Sequence, residues 1–183
     1  SIPARMIEIG SLAALQALAT EIATISGGVQ YEAHLLGTNG TQQVGFLVKT
    51  SRIQIDSVVQ EELPGCVFNN PATCNSFIDP TDGQPASLND RPPLTLRATV
   101  DALSANPRQI IVVVNHTRSF IDIEVVGAEG ARVRAKRKAQ AEFLADLLQD
   151  LQTANPGTPV ISIGDYNAYQ FNDGYTDPVA TIK

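Results

Sequence analysis

The chain is poor in cysteine, histidine and positive charge, and it has no long apolar run. No stretch approaches the roughly 20 apolar residues that a membrane-crossing helix needs, so no membrane span is expected. Lys and Arg total 13 against 19 Asp and Glu, a formal net charge of -6. That balance argues against broad electrostatic adhesion to nucleic acid. It leaves room for local phosphate binding, because a divalent cation and a few arginines neutralise a single phosphate well enough. The only histidines are His34 and His116, and the only cysteines are Cys66 and Cys74. With no second Cys/His pair at finger spacing, metal binding through the two cysteines is not expected. The opening Ser1-Ile-Pro-Ala-Arg5 is not a secretory leader, although a leader cleaved earlier would leave no trace.

What is present is an ordinary soluble balance, with 43% hydrophobic and 17% charged residues over 183 positions. That length is enough for one domain with a real core. Cys66 and Cys74 bracket Val-Phe-Asn-Asn-Pro-Ala-Thr, a polar loop sequence. The alternatives are a bridge and two free thiols. The bridge is favoured, since free thiols in an exposed loop are a liability, and it implies an oxidising compartment.

Two stretches share one form. Val160-Ile-Ser-Ile-Gly-Asp-Tyr-Asn-Ala-Tyr169 is a short apolar run that ends at Gly164, then Asp165 and Asn167. It reads as a buried strand with a turn permitted by the glycine. Asp165 and Asn167, two residues apart on extended backbone, point the same way. An ionised acceptor beside an amide suits a hydrated metal ion with a phosphate next to it. Taken alone, the pair is more simply a turn, because Asp and Asn bond their own backbone. Gln109-Ile-Ile-Val-Val-Val-Asn-His-Thr-Arg-Ser119 repeats the form, an apolar strand ending abruptly in Asn115, His116, Thr117, Arg118 and Ser119. Two core strands that both end in polar residues suggest one shared site.

Asn115-His-x-Arg118-Ser after one strand, Gly164-Asp-Tyr-Asn-Ala-Tyr169 after the next, and Arg91-Pro-Pro before the first resemble the endonuclease/exonuclease/phosphatase superfamily, the DNase I-like fold. The bacterial extracellular nuclease branch is the nearest in pattern. The resemblance runs from about Glu8 to the end and rests on the order and spacing of the motifs together. It implies an α/β fold, an incomplete four-layer α-β-β-α sandwich with two mixed β-sheets, in a single partial domain over 1–183. It also implies a metal-dependent phosphoester hydrolase, most simply a secreted or periplasmic DNase-like enzyme using Mg²⁺, Mn²⁺ or Ca²⁺, with DNA or another phosphoester as substrate. The family's first metal ligand is a glutamate at a strand end before a helix, often within Gln-Glu-[Val/Ile]-Glu-Asn-Leu. Here Ile7-Glu-Ile-Gly-Ser-Leu12 puts Glu8 on that position, with Gly10 and Ser11 departing from the pattern. Asp165 and Asn167 are assigned to metal, water and phosphate. His116, with Asn115 beside it, and Arg91 are assigned to phosphate oxygens, where an imidazole and a planar guanidinium fork both suit the geometry. Arg118 and Ser119 are weaker candidates.

The other segments fill in the frame. Ser11 caps a helix whose apolar face is Leu12, Leu15, Leu18, Ala19 and Ile22, running to about Ile25 before Gly27-Gly28. Gln43–Lys49 and Ser51–Val58 read as two strands joined by a tight connection into an antiparallel hairpin, like the family's early hairpin. His34 reads as a surface or loop histidine. Residues from about 60 to 90 read as a long excursion stapled by the cysteines. Ile121 to Gly130 reads as a loop, and Ala131 to Leu151 as the best helix, with a stripe of Ala135, Ala139, Phe143, Leu147 and Leu151 widened by Leu144 and Leu148. Its basic start, Arg132 to Lys138, opposes the macrodipole; a solvated face is expected, with a grip on nucleic acid as the alternative. For Tyr166 and Tyr169 two readings stand equal: packing around the site, and plain aromatic packing with no catalytic part. The family's first strand and its closing Ser-Asp-His-x-Pro are not matched in these 183 residues. The expectation is therefore a fragment or a degenerate domain whose open sheet edges favour strand-mediated self-association. The rival functions are a non-catalytic phosphate- or nucleic-acid-binding module and a lipid-headgroup phosphodiesterase.

Overall fold

A computed structural model describes residues 4–36, 42–62 and 77–183. In chain order the elements are β1 (Ala4–Ile9), α1 (Leu12–Ile25), β2 (Glu32–Leu35), β3 (Gln43–Val48), β4 (Ile53–Gln60), β5 (Phe77–Ile78), β6 (Pro85–Ala86), β7 (Leu94–Val100), β8 (Arg108–His116), α2 (Ala128–Ala154), β9 (Val160–Asp165) and α3 (Pro178–Ile182). The pairing of Cys66 with Cys74 lies outside the described residues. The chain divides into two compact units that it visits in alternation.

The first unit comprises described residues within 1–61, 93–115 and 155–164. It holds two sheets, ordered β1-β3-β2 and β4-β7-β8-β9. The first sheet is antiparallel throughout. In the second, β4/β7 and β7/β8 are antiparallel. Val44, Phe46 and Val48 of β3 pack with Ile53, Leu94, Leu96, Ala98, Val112 and Val114 in one core between the sheets. The alternate residue Leu47 of β3 faces the other way, against Leu15 and Ala19 of α1. A strand with apolar rows on both faces is a central strand, and all of β3 is buried accordingly. Ser11 caps α1 as its sequence predicts, accepting from the Ala14 N–H at 3.2 Å. A Cβ on Gly45 would stand 2.9 Å from the His34 carbonyl and 3.1 Å from Leu15, so the bare backbone there is what admits the helix.

The expected hairpin of the 43–49 and 51–58 segments does not form. Both strands exist, but β3 and β4 belong to different sheets. β3 is paired on one edge by β1 and on the other by β2, which leaves no edge for β4. The turn at Lys49, whose carbonyl accepts from Arg52 and Ile53, instead carries the chain from one layer to the next. The expectation of a buried strand at 160–163 is met only in part. β9 stands at the end of its sheet and is half-buried, with Ile161 43% exposed.

The second unit comprises described residues within 62–92, 116–154 and 165–183. Its axis is α2, which begins three residues before and ends three residues after the range the periodicity predicts. α3 packs on α2, and β5 and β6 form a small hairpin. The buried stripe of α2 is Val133, Lys136, Arg137, Gln140, Ala141, Leu144 and Leu151. It shares Leu144 and Leu151 with the expected stripe, but toward the N-terminal half Val133, Lys136, Arg137, Gln140 and Ala141 replace Ala135 and Ala139.

Glu62 gives this unit a pH dependence. Burial pushes its carboxyl up to about 7; the nearby Asn89 amide pulls the other way without a good hydrogen bond. Between its ordinary value of 4.5 and about 7, the folded chain holds a proton that the unfolded chain has released. Stability from this group is therefore complete below that window and is lost as pH rises through it. Urea midpoints are expected to fall from about pH 5 to about pH 8, and Glu62→Gln to flatten the fall. An equal fall in the variant would assign the effect elsewhere.

Candidate functional site

β8 and β9 lie side by side and run in the same direction. The Ile111 N–H donates to the Pro159 carbonyl at 2.9 Å, and the Thr117 N–H to the Asp165 carbonyl at 3.0 Å, an equal advance along both strands. Parallel neighbours finish at one edge of a sheet, the place where α/β folds build sites. Gly164 makes the pairing possible. It sits at φ +143, and a Cβ there would fall 1.9 Å from the Asn115 carbonyl oxygen. The glycine thus serves close approach of two backbones within the strand, in addition to the turn that follows.

Asn115 is 1% exposed, and its amide nitrogen donates to the Ile163 carbonyl at 2.8 Å and to the Ser162 hydroxyl at 3.3 Å. It ties β8 to β9. Successive strand residues face opposite ways, so Asn115 and His116 diverge.

His116 and Asp165 end their strands as neighbours. The Nε2 of His116 stands 4.0 Å from the Oδ2 of Asp165, with the imidazole 9% exposed and the carboxylate 54% exposed. That gap is too long for a hydrogen bond and matches the spread of two ligands about one small cation, or two groups about one phosphate oxygen. The other Asp165 oxygen accepts from the Asn167 N–H at 2.8 Å, so the turn reading of this pair is also true. Asn167 adopts φ 42, the left-handed conformation that asparagine tolerates best after glycine. Its amide nitrogen donates to the Thr117 carbonyl at 2.9 Å, which leaves Oδ1 as the acceptor. The Thr117 hydroxyl in turn donates to the Tyr166 carbonyl. Thus the connections after β8 and β9 are stitched to each other, and His116, Asp165 and Asn167 come together within the second unit.

The base beneath those connections was not foreseen. Arg137 is 2% exposed, on the stripe four residues from Val133 and from Ala141. Its guanidinium donates to the Arg118 carbonyl at 2.7 Å, the Asn167 carbonyl at 2.8 Å and the Asp173 carboxylate at 2.9 Å. It also lies 4.3 Å over the ring of Phe120. Gln140, one turn on, accepts from the Arg118 N–H at 2.7 Å and donates to the Leu88 carbonyl at 2.8 Å. Lys136 bonds Asp90 at 2.6 Å, and Arg118 lies 3.8 Å from the same carboxylate. The expected solvated basic face is therefore wrong for Lys136 and Arg137, which are buried among acids and carbonyls; Lys138, 69% exposed at its side chain and paired with Glu142, does fit it. The signal was legible, since Arg137 shares helical spacing with Val133, Ala141 and Leu144.

The remaining candidates are placed more simply. Glu8 is half-buried on β1 of the first unit, opposite Val44. It continues the row of Ala4 and Met6, which packs on the inter-sheet core. Arg91 is half-buried in the bend before β7, and Ser119 is half-buried after β8. Burial pushes the Asp173 carboxyl upward, but the Thr176 and Tyr175 N–H groups and the Arg137 guanidinium outweigh it and hold the group below its ordinary range.

No protein-family model matches the chain, and no curated protein does. Solved structures do. The human Nocturnin catalytic domain with bound sulfate superposes with a TM-score of 0.55 at 13% identity, covering 94% of this chain and 54% of that one. D. rerio TDP2 complexed with single strand DNA product gives 0.52 at 16%, covering 98% and 51%. A β-hairpin deletion mutant of beta toxin from Staphylococcus aureus gives 0.56 at 14%, covering 97% and 59%. The chain thus shares the fold of these structures, the DNase I-like fold. It spans a little over half the length of these structures.

Arg137→Leu is expected to destabilise the chain by about 3–5 kcal/mol in urea denaturation, because it strands a buried carboxylate. Arg137→Lys should recover less than half, since an ammonium lacks the planar fork that reaches three acceptors. The stability carried by Asp173 should persist above the ordinary carboxylate range and disappear as pH falls through its lowered value. A loss under about 1 kcal/mol in Arg137→Leu would deny Arg137 its central place.

Proposed function

We propose that this chain carries the phosphoester site of a metal-dependent hydrolase, most simply a secreted or periplasmic DNase-like nuclease of the bacterial branch. The observation that carries the reading is the pairing of His116 with Asp165 at 4.0 Å where two parallel strands end together. The fold supports it, and so does the donor chemistry. A carboxylate, an amide oxygen and a second carboxylate, Glu8, make a hard, oxygen-rich set of the kind that Mg²⁺ or Mn²⁺ takes. Glu8 enters through the family resemblance, as does Arg91.

The reaction is attack of water on phosphorus with loss of an alcohol, yielding a monoester from a diester. Asp165, Asn167 and, by the family resemblance, Glu8 are the residues that would hold a divalent cation, which would supply Lewis acidity to a phosphoryl oxygen. Asp165 orients water and phosphate. His116 donates from its ring to a non-bridging oxygen, where charge grows as the bond to water forms. Arg91 adds a planar cation on the same phosphate. Asn167, fixed at Thr117 by its nitrogen, offers its oxygen.

The test is hydrolysis of bis(p-nitrophenyl) phosphate with Mg²⁺ or Mn²⁺, with and without EDTA, beside Mn²⁺ binding followed by paramagnetic resonance. Asp165→Asn keeps the acceptor for the Asn167 N–H while removing the charge. It is expected to lower kcat/KM at least about 100-fold and to weaken Mn²⁺ binding. Glu8→Gln should weaken Mn²⁺ binding likewise. His116→Ala should lower kcat about 100-fold or more with Mn²⁺ affinity retained. The use of Asp165 and Asn167 as a turn favours the second reading, a phosphate-binding module without turnover. Metal and phosphate binding with no hydrolysis would select it, and failure to bind Mn²⁺ at all would refute both.

A further inference from the structure

Three aromatic rings stand in a row on the second unit. Phe120 and Tyr169 stack with centroids 5.1 Å apart and planes 27° from parallel; Tyr169 and Phe171 stack at 5.1 Å and 3°. The inner end is fixed. Phe120 lies under the Arg137 guanidinium at 4.3 Å, and Arg137 is itself held by Asp173 and by two carbonyls. The outer end is open, with Tyr169 53% and Phe171 65% exposed. The row therefore runs from a buried anchor to water. Its rings sit at the spacing at which flat π-systems stack.

The row also grows from the candidate site. Phe120 is four residues past His116, and Tyr169 is two residues past Asn167. The Arg118 and Asn167 carbonyls that bind Arg137 lie on those same two connections. Near-parallel rings ending in an exposed aromatic face make a flat terminus, and what fits a flat terminus is another planar ring. A net charge of -6 makes tracking of a phosphate backbone by positive charge a poor source of affinity. Stacking needs no charge, because every base has a π-face.

We propose that Phe120, Tyr169 and Phe171 form a base-stacking platform, so that the ligand of this chain is a phosphoester bearing an unpaired nucleobase, that is, single-stranded nucleic acid. From the phosphoester reading this takes only that the ligand carries phosphate. Bases inside a duplex keep their faces covered by their neighbours, so single strands should be preferred over duplex.

The experiment is fluorescence anisotropy in EDTA, which separates binding from hydrolysis. Labelled oligothymidylate is compared with an abasic oligomer of equal length and charge. The native chain is expected to bind the base-bearing strand about ten-fold more tightly, with only a small loss between about 50 and 200 mM salt. Tyr169→Leu and Phe171→Leu keep apolar bulk without a π-face and should each bring the ratio close to one. Tyr169→Trp should preserve or raise it. Circular dichroism confirms that each variant is folded. Equal binding of the two strands by the native chain overturns the proposal. So does duplex binding as tight as single-strand binding, or a Tyr169-dependent affinity for phosphatidylcholine vesicles in place of oligomers. Turnover of bis(p-nitrophenyl) phosphate, which has no nucleobase, tests the hydrolase reading separately. A base-dependent ratio without turnover would leave the platform standing and remove the enzyme.

Discussion

A single buried guanidinium holds the edge of the second unit on which the candidate site lies. Arg137 comes up from the long helix α2 and satisfies two backbone carbonyls, those of Arg118 and Asn167, while pairing with Asp173. Each carbonyl belongs to a connection that leaves a strand end, and neither connection has regular structure to support it. A loop without regular pairing must still satisfy its polar backbone. A planar fork with five donors reaches both loops and the Asp173 carboxylate from one side chain. Gln140 works beside it, bonding the Arg118 N–H with one end of its amide and the Leu88 carbonyl with the other. Lys136 and Arg137, among the basic residues at the start of α2, thus have an internal purpose. The basic cluster opposes the macrodipole, but Asp90 and Glu129 stand close enough to offset it.

In the first unit the corresponding constraint is the absence of a side chain. β8 and β9 approach so closely at Asn115 and Gly164 that no Cβ fits. Asn115 then fastens the two strands from its own side chain. The consequence is positional. Parallel strands held in tight register finish together, so His116 and Asp165, 49 residues apart in sequence, become neighbours. The distance between them follows from backbone geometry, before any attraction between imidazole and carboxylate is considered.

Much of this was legible in the residues. The strands 108–116 and 160–165 and the capped helix 12–25 follow from apolar runs, helical periodicity and Ser11. The Asn-His and Gly-Asp-Tyr-Asn motifs marked where two strands end. Three readings went astray for physical reasons. The hairpin of β3 and β4 failed because a short polar connection is equally able to cross between layers, and β3 already had partners on both edges. β9 was read as buried because it is apolar, yet it is half-buried at the end of its sheet. Lys136 and Arg137 were read as solvated because they are charged, and composition does not show which acids and carbonyls surround a charge.

The sequence by itself determined the capped helix, the long helix and where the two motif-bearing strands end, since periodicity, capping and turn residues act over a few neighbours along the chain. Tertiary structure alone decided which polar residues serve the scaffold and which face outward. Asn115 ties strands, Arg137 ties loops, and Asp165 bonds its own turn while keeping one oxygen toward His116. It also decided that Phe120, Tyr169 and Phe171 stand in one row. Those outcomes depend on distances between groups far apart in the chain, and only packing and long-range hydrogen bonds set such distances.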